Sequence, residues 1–220
     1  MHYQTHDLSY STDPMPPLLP VNHAVFAKLL FALLASLRGS ICLYQGEELG
    51  LTEARLPHEA LRDPFGITYW PIFKGRDGAR TPMPWHEEAP HCGFSADMPW
   101  LPVPDDHASR AVDRQENDPS SHLNFIRDFI AWRSGQLALV KGDMEVLPVA
   151  APLLGFIRRF EGQSIIAIFN TSGEATRMSL GDVSMPRVLH QSGCGGLLSE
   201  NELIVPAYTP VFVGIGSAEV

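Results

Sequence analysis

No cluster of basic residues occurs anywhere in the chain: 16 Lys and Arg stand against 25 Asp and Glu, a net charge of −9. Phosphate neutralisation supplies most nucleic-acid affinity, so a DNA or RNA partner is excluded. Cysteine is scarce, and Cys42, Cys92 and Cys194 lie far apart with no C-x-x-C spacing. That excludes a disulfide framework and a cysteine zinc site, and it points to a reducing compartment. Long apolar runs are also missing. The longest, Ala24 to Leu37, contains Lys28 and falls short of the roughly 20 residues a membrane span needs. The opening Met1-His2-Tyr3-Gln4 lacks the basic-then-apolar pattern of a signal peptide, so a soluble, cytoplasmic protein is expected. There is no P-loop, no G-x-G-x-x-G and no H-E-x-x-H, and Gly193-Cys194-Gly195-Gly196 lacks the helix and lysine of a phosphate cradle. No cofactor and no metal are expected. Finally, 220 residues fall short of the roughly 250 of an eight-fold β/α barrel.

What is present divides near residue 142. After a polar, Pro-rich stretch, residues 24–37 are apolar on nearly every face, which predicts a helix buried all round. Ser40-Ile41-Cys42-Leu43-Tyr44 reads as a short buried strand running into the polar Gln45-Gly46-Glu47-Glu48. Glycine (18) and proline (19) together make up about one residue in six, above the usual one in about eight. Many of the prolines fall in 51–115, an irregular stretch of the length that usually carries function. A second helix is predicted from about Ser120 to Gly135. From Asp143 onward the pattern turns to strands: 154–160 and 164–170 form a hairpin about Glu161-Gly162-Gln163, with further strands near 175–180, 186–191, 197–205 and 209–215. The expected architecture is α/β followed by an all-β part, with 1–142 and 143–220 as separate domains.

Three polar clusters draw notice. His6-Asp7 reads most simply as a local capping pair. Tyr44-Gln45-Gly46-Glu47-Glu48 follows a predicted strand, which suits either an active-site edge or ordinary loop charge. Gly75-Arg76-Asp77-Gly78-Ala79-Arg80-Thr81-Pro82-Met83-Pro84-Trp85 sets two arginines, an aspartate and a tryptophan in a loop fixed by glycine and proline. Guanidinium groups bind polar, planar ligands, and they also staple loops through Arg–Asp pairs. From the residues alone the staple is the simpler alternative.

Residues 76–85 match the R-D-x-x-R-T-P-M-x-W signature of the α-amylase-type glycoside hydrolases of family 13, in the α-glucosidase and oligo-1,6-glucosidase branch. Residues 39–50 resemble the family's eighth barrel strand, G-x-x-x-x-Y-Q-G-E-E-x-G, and Asp63-Pro64-Phe65-Gly66-Ile67-Thr68-Tyr69-Trp70-Pro71 is similar to its bacterial members. The resemblance implies the C-terminal part of a (β/α)8 TIM barrel (helix 7, strand 8, helix 8) followed by an antiparallel β-sandwich. Retaining enzymes of this family use an aspartate nucleophile and a glutamate acid/base ~5–5.5 Å apart. By the resemblance these belong to strands four and five, which have no counterpart here, so the chain alone is expected to be inactive. Asp7 would be the transition-state stabiliser and His6 a glucose-binding residue, with Thr5 where the family has asparagine. Arg76 would grip the non-reducing-end glucose through an aspartate of the N-terminal part, and Glu53 would line the leaving-group site. The implied partner is an α-glucoside or maltooligosaccharide. Self-association, or a requirement for the missing N-terminal half, is expected of the isolated chain. The competing expectation is a non-catalytic interaction module derived from the same fold.

Overall fold

The computed structural model describes residues 23–189 and 192–216. Helix α1 spans His23–Ser36, and α2 (Pro64–Tyr69), α3 (Asp105–Ala108) and α4 (Val112–Glu116) are short helices in the long connection that follows. Helices α5 (His122–Ser134) and α6 (Leu137–Lys141) precede eight strands. These are β1 (Asp143–Val146), β2 (Leu153–Phe160), β3 (Gln163–Asn170), β4 (Thr176–Ser179), β5 (Arg187–Val188), β6 (Leu197–Ser199), β7 (Glu202–Val205) and β8 (Pro210–Ile215). No helix among the described residues is long and apolar enough to cross a membrane.

All strand pairing is antiparallel, in a five-stranded sheet β1-β2-β3-β8-β5 and a three-stranded sheet β4-β7-β6. The β2–β3 hairpin closes on Phe160 opposite Gln163. Glu161 and Gly162 between them both have positive φ (44° and 83°), the backbone of a two-residue turn that follows the twist of the strands. Successive side chains of a strand point to opposite faces. In β3, Ile165, Ala167 and Phe169 therefore meet α1, α5 and α6, while Ile166 and Ile168 meet Leu203 and Val205 of the smaller sheet. A strand covered on both faces has no polar side, which is why Ile165 to Phe169 is apolar without interruption.

The helices meet the sheet through a stack of rings. Phe129 lies 5.7 Å from Phe31, 5.9 Å from Phe125, 5.4 Å from Trp132 and 5.7 Å from Phe212, centroid to centroid. Helix α5 is started by Ser121, whose hydroxyl accepts the Asn124 N–H. That supplies one of the bonds the first turn cannot make internally.

Several expectations need correction. Helix α1 is not buried all round: Leu29, Phe31, Ala32 and Ala35 are buried, whereas Val25, Leu30 and Leu34 are exposed. Sequence composition reports apolarity but not which face finds a neighbour. The strand expected at 40–44 does not form. A strand exists by pairing, and no described strand lies beside this segment, so Leu43 and Tyr44 are exposed. The second helix begins at His122 because Ser121 caps it. The single strand expected at 197–205 is the β6–β7 hairpin, with Glu200 and Asn201 forming the turn and Glu200 at φ 53°. The stretch 51–115 also contains short helical turns beside its irregular backbone.

Candidate active site

The segment between α1 and residue 50 is held from three sides. At the C-terminal end of α1, Arg158 Nη1 donates to the Ser36 carbonyl (2.6 Å) and Arg133 Nε to that of Ala35 (2.6 Å). Both guanidinium groups meet carbonyls that the helix leaves unpaired. Farther on, Glu47 Oε2 accepts the Tyr44 N–H and Glu48 Oε2 the Gly46 N–H. Gly46 and Gly50 have left-handed backbone (φ 90° and 63°), and a Cβ on Gly46 would come within 2.8 Å of Leu51 Cδ1. On the third side, His122 Nε2 donates to the Glu47 carbonyl (2.9 Å), which fixes the Nε2–H tautomer. Arg110 Nη1 and Gln115 Nε2 likewise donate to the carbonyls of Gly50 and Leu49.

Burial pushes the His122 imidazole down to about 4, the positive charges of Lys28 and Arg110 act in the same direction, and the bond to Glu47 only partly opposes them. A histidine with a depressed folded-state pKa binds fewer protons folded than unfolded, so stability is full above the unfolded value near 6.5 and falls as pH drops towards 4. Lowering pH from about 7.5 to about 4.5 is expected to remove about 2–3 kcal/mol through this group. Urea unfolding of the wild type and of His122→Gln, which keeps an amide donor for Glu47, checks it. Equal pH dependence in the two proteins would refute the assignment.

Residues 52–54 run beside 78–81. Ala54 N–H donates to the Gly78 carbonyl (2.9 Å), and a Cβ on Gly78 would sit 2.5 Å from Ala54 O and 2.8 Å from Glu53 Cγ. Only glycine permits that approach. Buried His107 bridges the two runs: Nε2 donates to the Thr52 carbonyl (2.7 Å), leaving Nδ1 to accept the Thr81 hydroxyl (3.0 Å). Gln45 Nε2 closes the ring by donating to the Thr81 carbonyl (3.2 Å). Between them lies a cleft of about 200 Å³ lined by Tyr44, Gln45, Glu47, Thr52, Glu53 and Met83 among others. It offers an exposed tyrosine ring, an amide, a hydroxyl and two carboxylates to a small polar ligand.

Glu53 lines this cleft; Arg76 does not. Arg76 Nε instead meets Asp63 Oδ2 at 3.3 Å, so the aspartate paired with it lies in this chain. Asp63 also accepts the N–H groups of Phe65 (3.1 Å) and Arg76 (3.0 Å). Burial alone would raise the Asp63 pKa, but the bonds from Arg76 and Phe65 and the Arg76 charge outweigh it and hold the carboxyl below its ordinary value. Buried Asp77 accepts the N–H groups of Arg62 (2.5 Å) and Asp63 (2.7 Å) through Oδ2, while Oδ1 has no partner among the described residues. The Asp63–Arg76–Asp77 cluster thus holds the loop closed, as the staple alternative anticipates. His6 and Asp7 lie outside the described residues. Thr52 and His107 were not foreseen, because no spacing marks two residues that meet across 55 positions of irregular chain. Among the described residues, no group of three His, Cys, Asp or Glu side chains converges as a metal site.

Both motifs that wall this cleft lie in the part of the chain that matches a known family. Residues 20–142 match the α-amylase catalytic-domain family, and the chain belongs to that family. It is 46% identical over 193 residues to a protein of Rhizobium meliloti (strain 1021) named probable alpha-glucosidase, covering 87% of this chain and 34% of that one. It is 30% identical over 174 residues to an oligo-1,6-glucosidase of Halalkalibacterium halodurans, covering 68% and 30%. The crystal structure of an alpha-glucosyl transfer enzyme superposes with a TM-score of 0.83 at 42% identity, over 88% of this chain and 36% of that one. The chain spans about a third of the length of the curated relatives it matches.

Proposed function

We propose that this chain is the C-terminal portion of a retaining α-glucosidase that hydrolyses α-glucosidic bonds at the non-reducing end of short oligosaccharides. In this reading α1, the 40–44 segment and α5 are the seventh helix, eighth strand and eighth helix of the barrel, and 143–220 is the appended β-sandwich domain. The observation that carries it is the cleft where the Tyr44–Glu48 and Arg76–Trp85 segments come together, with Glu53 on its wall. Glu53 faces the leaving group, Asp7 with His6 stabilises the oxocarbenium-like transition state, and Arg76, paired with Asp63, braces the loop beside the cleft rather than lining it. The nucleophile and acid/base belong to strands four and five of the family pattern, so the complete site needs an N-terminal half, and the protein acts in the cytoplasm.

The purified chain alone is expected to show no turnover of p-nitrophenyl α-glucoside or maltose, since a lone stabilising aspartate provides neither covalent attack nor protonation of the leaving oxygen. Turnover that persists through purification and is lost in Asp7→Ala would overturn this. A second reading, a non-catalytic interaction module, draws support from the exposed Leu30 and Leu34, one turn apart on the same side of α1. Activity on mixing with the upstream segment of a relative would decide against it.

A further inference from the structure

We propose that the cleft selects its aglycone or acceptor by charge, favouring glucosides whose aglycone carries an amine and rejecting those that carry a phosphate. This rests on the glucoside reading above and names the substrate class of the same site.

Glu47 and Glu53 both line the cleft and both are exposed, and no described residue lining it is Lys or Arg. Further carboxylates bind its walls directly. Asp106 Oδ2 accepts the Thr52 hydroxyl (3.3 Å), and Glu48 Oε2 accepts the Gly46 N–H (2.7 Å), with Thr52 and Gly46 both on the lining. The arginines that flank the cleft in sequence do not line it. Arg76 is committed to Asp63 and Arg110 to the Gly50 carbonyl, while Arg80 is not among the lining residues although Ala79 and Thr81 on either side of it are. Glu47 has one oxygen engaged by the Tyr44 N–H, whereas Glu53 makes no hydrogen bond or ion pair with a described residue and carries the freest charge. A concave site walled by one sign of charge concentrates the opposite sign and repels its own. The Tyr44 ring and the Gln45 and Thr52 side chains serve the neutral sugar equally in every case, so the discrimination falls on the substituent.

Three matched probes isolate it: 2-aminoethyl, 2-hydroxyethyl and 2-phosphoethyl α-glucoside, titrated into the full chain and followed by the chemical shifts of cleft amides. The amine is expected to bind about five- to tenfold more tightly than the alcohol near 20 mM salt, and the phosphate more weakly by a similar factor. About 1 M salt, where screening reaches roughly 3 Å, should compress both ratios below about twofold. Glu53→Gln should shrink the amine-to-alcohol ratio at low salt. Saturable binding of all three with equal affinity, or with the order reversed, overturns the selectivity and leaves the glucoside reading standing. Absence of any cleft shift with all three probes overturns the selectivity as well, while the glucoside reading is tested separately by activity on mixing with the upstream segment of a relative.

Discussion

Alanine in place of Arg158 is expected to cost the fold about 3–5 kcal/mol, a large fraction of the roughly 5–15 kcal/mol margin of an ordinary domain. Arg158 is 1% exposed, and its guanidinium donates to the carbonyls of Ser36 (2.6 Å), Gly142 (2.8 Å) and Asp143 (3.2 Å). No carboxylate of the described residues forms an ion pair with it, so its charge is satisfied by backbone dipoles alone. Burial pushes its pKa down, and the nearby charges of Arg133 and Arg38 push the same way against the pull of Asp143. Removing the side chain leaves the Ser36 and Gly142 carbonyls buried without donors, each a loss of about 1–3 kcal/mol, and adds a cavity. Arg158→Met fills the space but supplies no donor, so it should fall between alanine and wild type. Urea unfolding followed by far-ultraviolet circular dichroism measures both, and an alanine variant within about 1 kcal/mol of wild type would show that water replaces the guanidinium freely.

Phe129→Ala is expected to cost about 3–5 kcal/mol by a different route. This fully buried ring touches four other aromatic rings, two on α5 itself, one on α1 and one on β8. Its loss opens a space that helix and sheet close only by shifting against one another. Phe129→Leu retains most of the volume and should cost about half as much or less. Because Trp132 packs against both Phe129 and Phe212, the near-ultraviolet spectrum of the alanine variant should also change. A loss under about 1 kcal/mol, or an unaltered tryptophan signal, would contradict the described packing.

Local chemistry made some elements legible and left others hidden. The β2–β3 hairpin could be read because Glu161-Gly162 sets the turn and the apolar run of β3 has the length of a strand. Helix α5 could be read from its apolar spacing, and its start was misplaced by two residues because the capping serine is preceded by another serine. The segment 40–44 could not be read, since apolar sequence implies a strand only when a partner supplies the ladder. Arg158-Arg159 looks like a solvent-facing pair, yet alternation in β2 sends Arg158 inward with Phe156 and leaves Arg159 outside against Glu145. In the cleft, the Tyr44–Glu48 turn follows from a contiguous motif, whereas Glu53 lies outside every motif and was expected only from the family resemblance. His107 and Thr52 depend on long-range closure and carried no local mark.

The ring stack between α1, α5 and the five-stranded sheet has a consequence for how such chains diversify. Residue 142 ends the helices, yet Phe156, Phe169 and Phe212 beyond it complete the same core as Phe31, Phe125 and Phe129 before it. A recombination event that exchanged the strands alone would set foreign side chains against the α5 rings and remove the guanidinium that closes α1. Viable exchanges must therefore carry both sides of that core together, and drift on either side is constrained by the other. In heredity the unit is the helix–sheet pair, whatever the boundary in secondary structure.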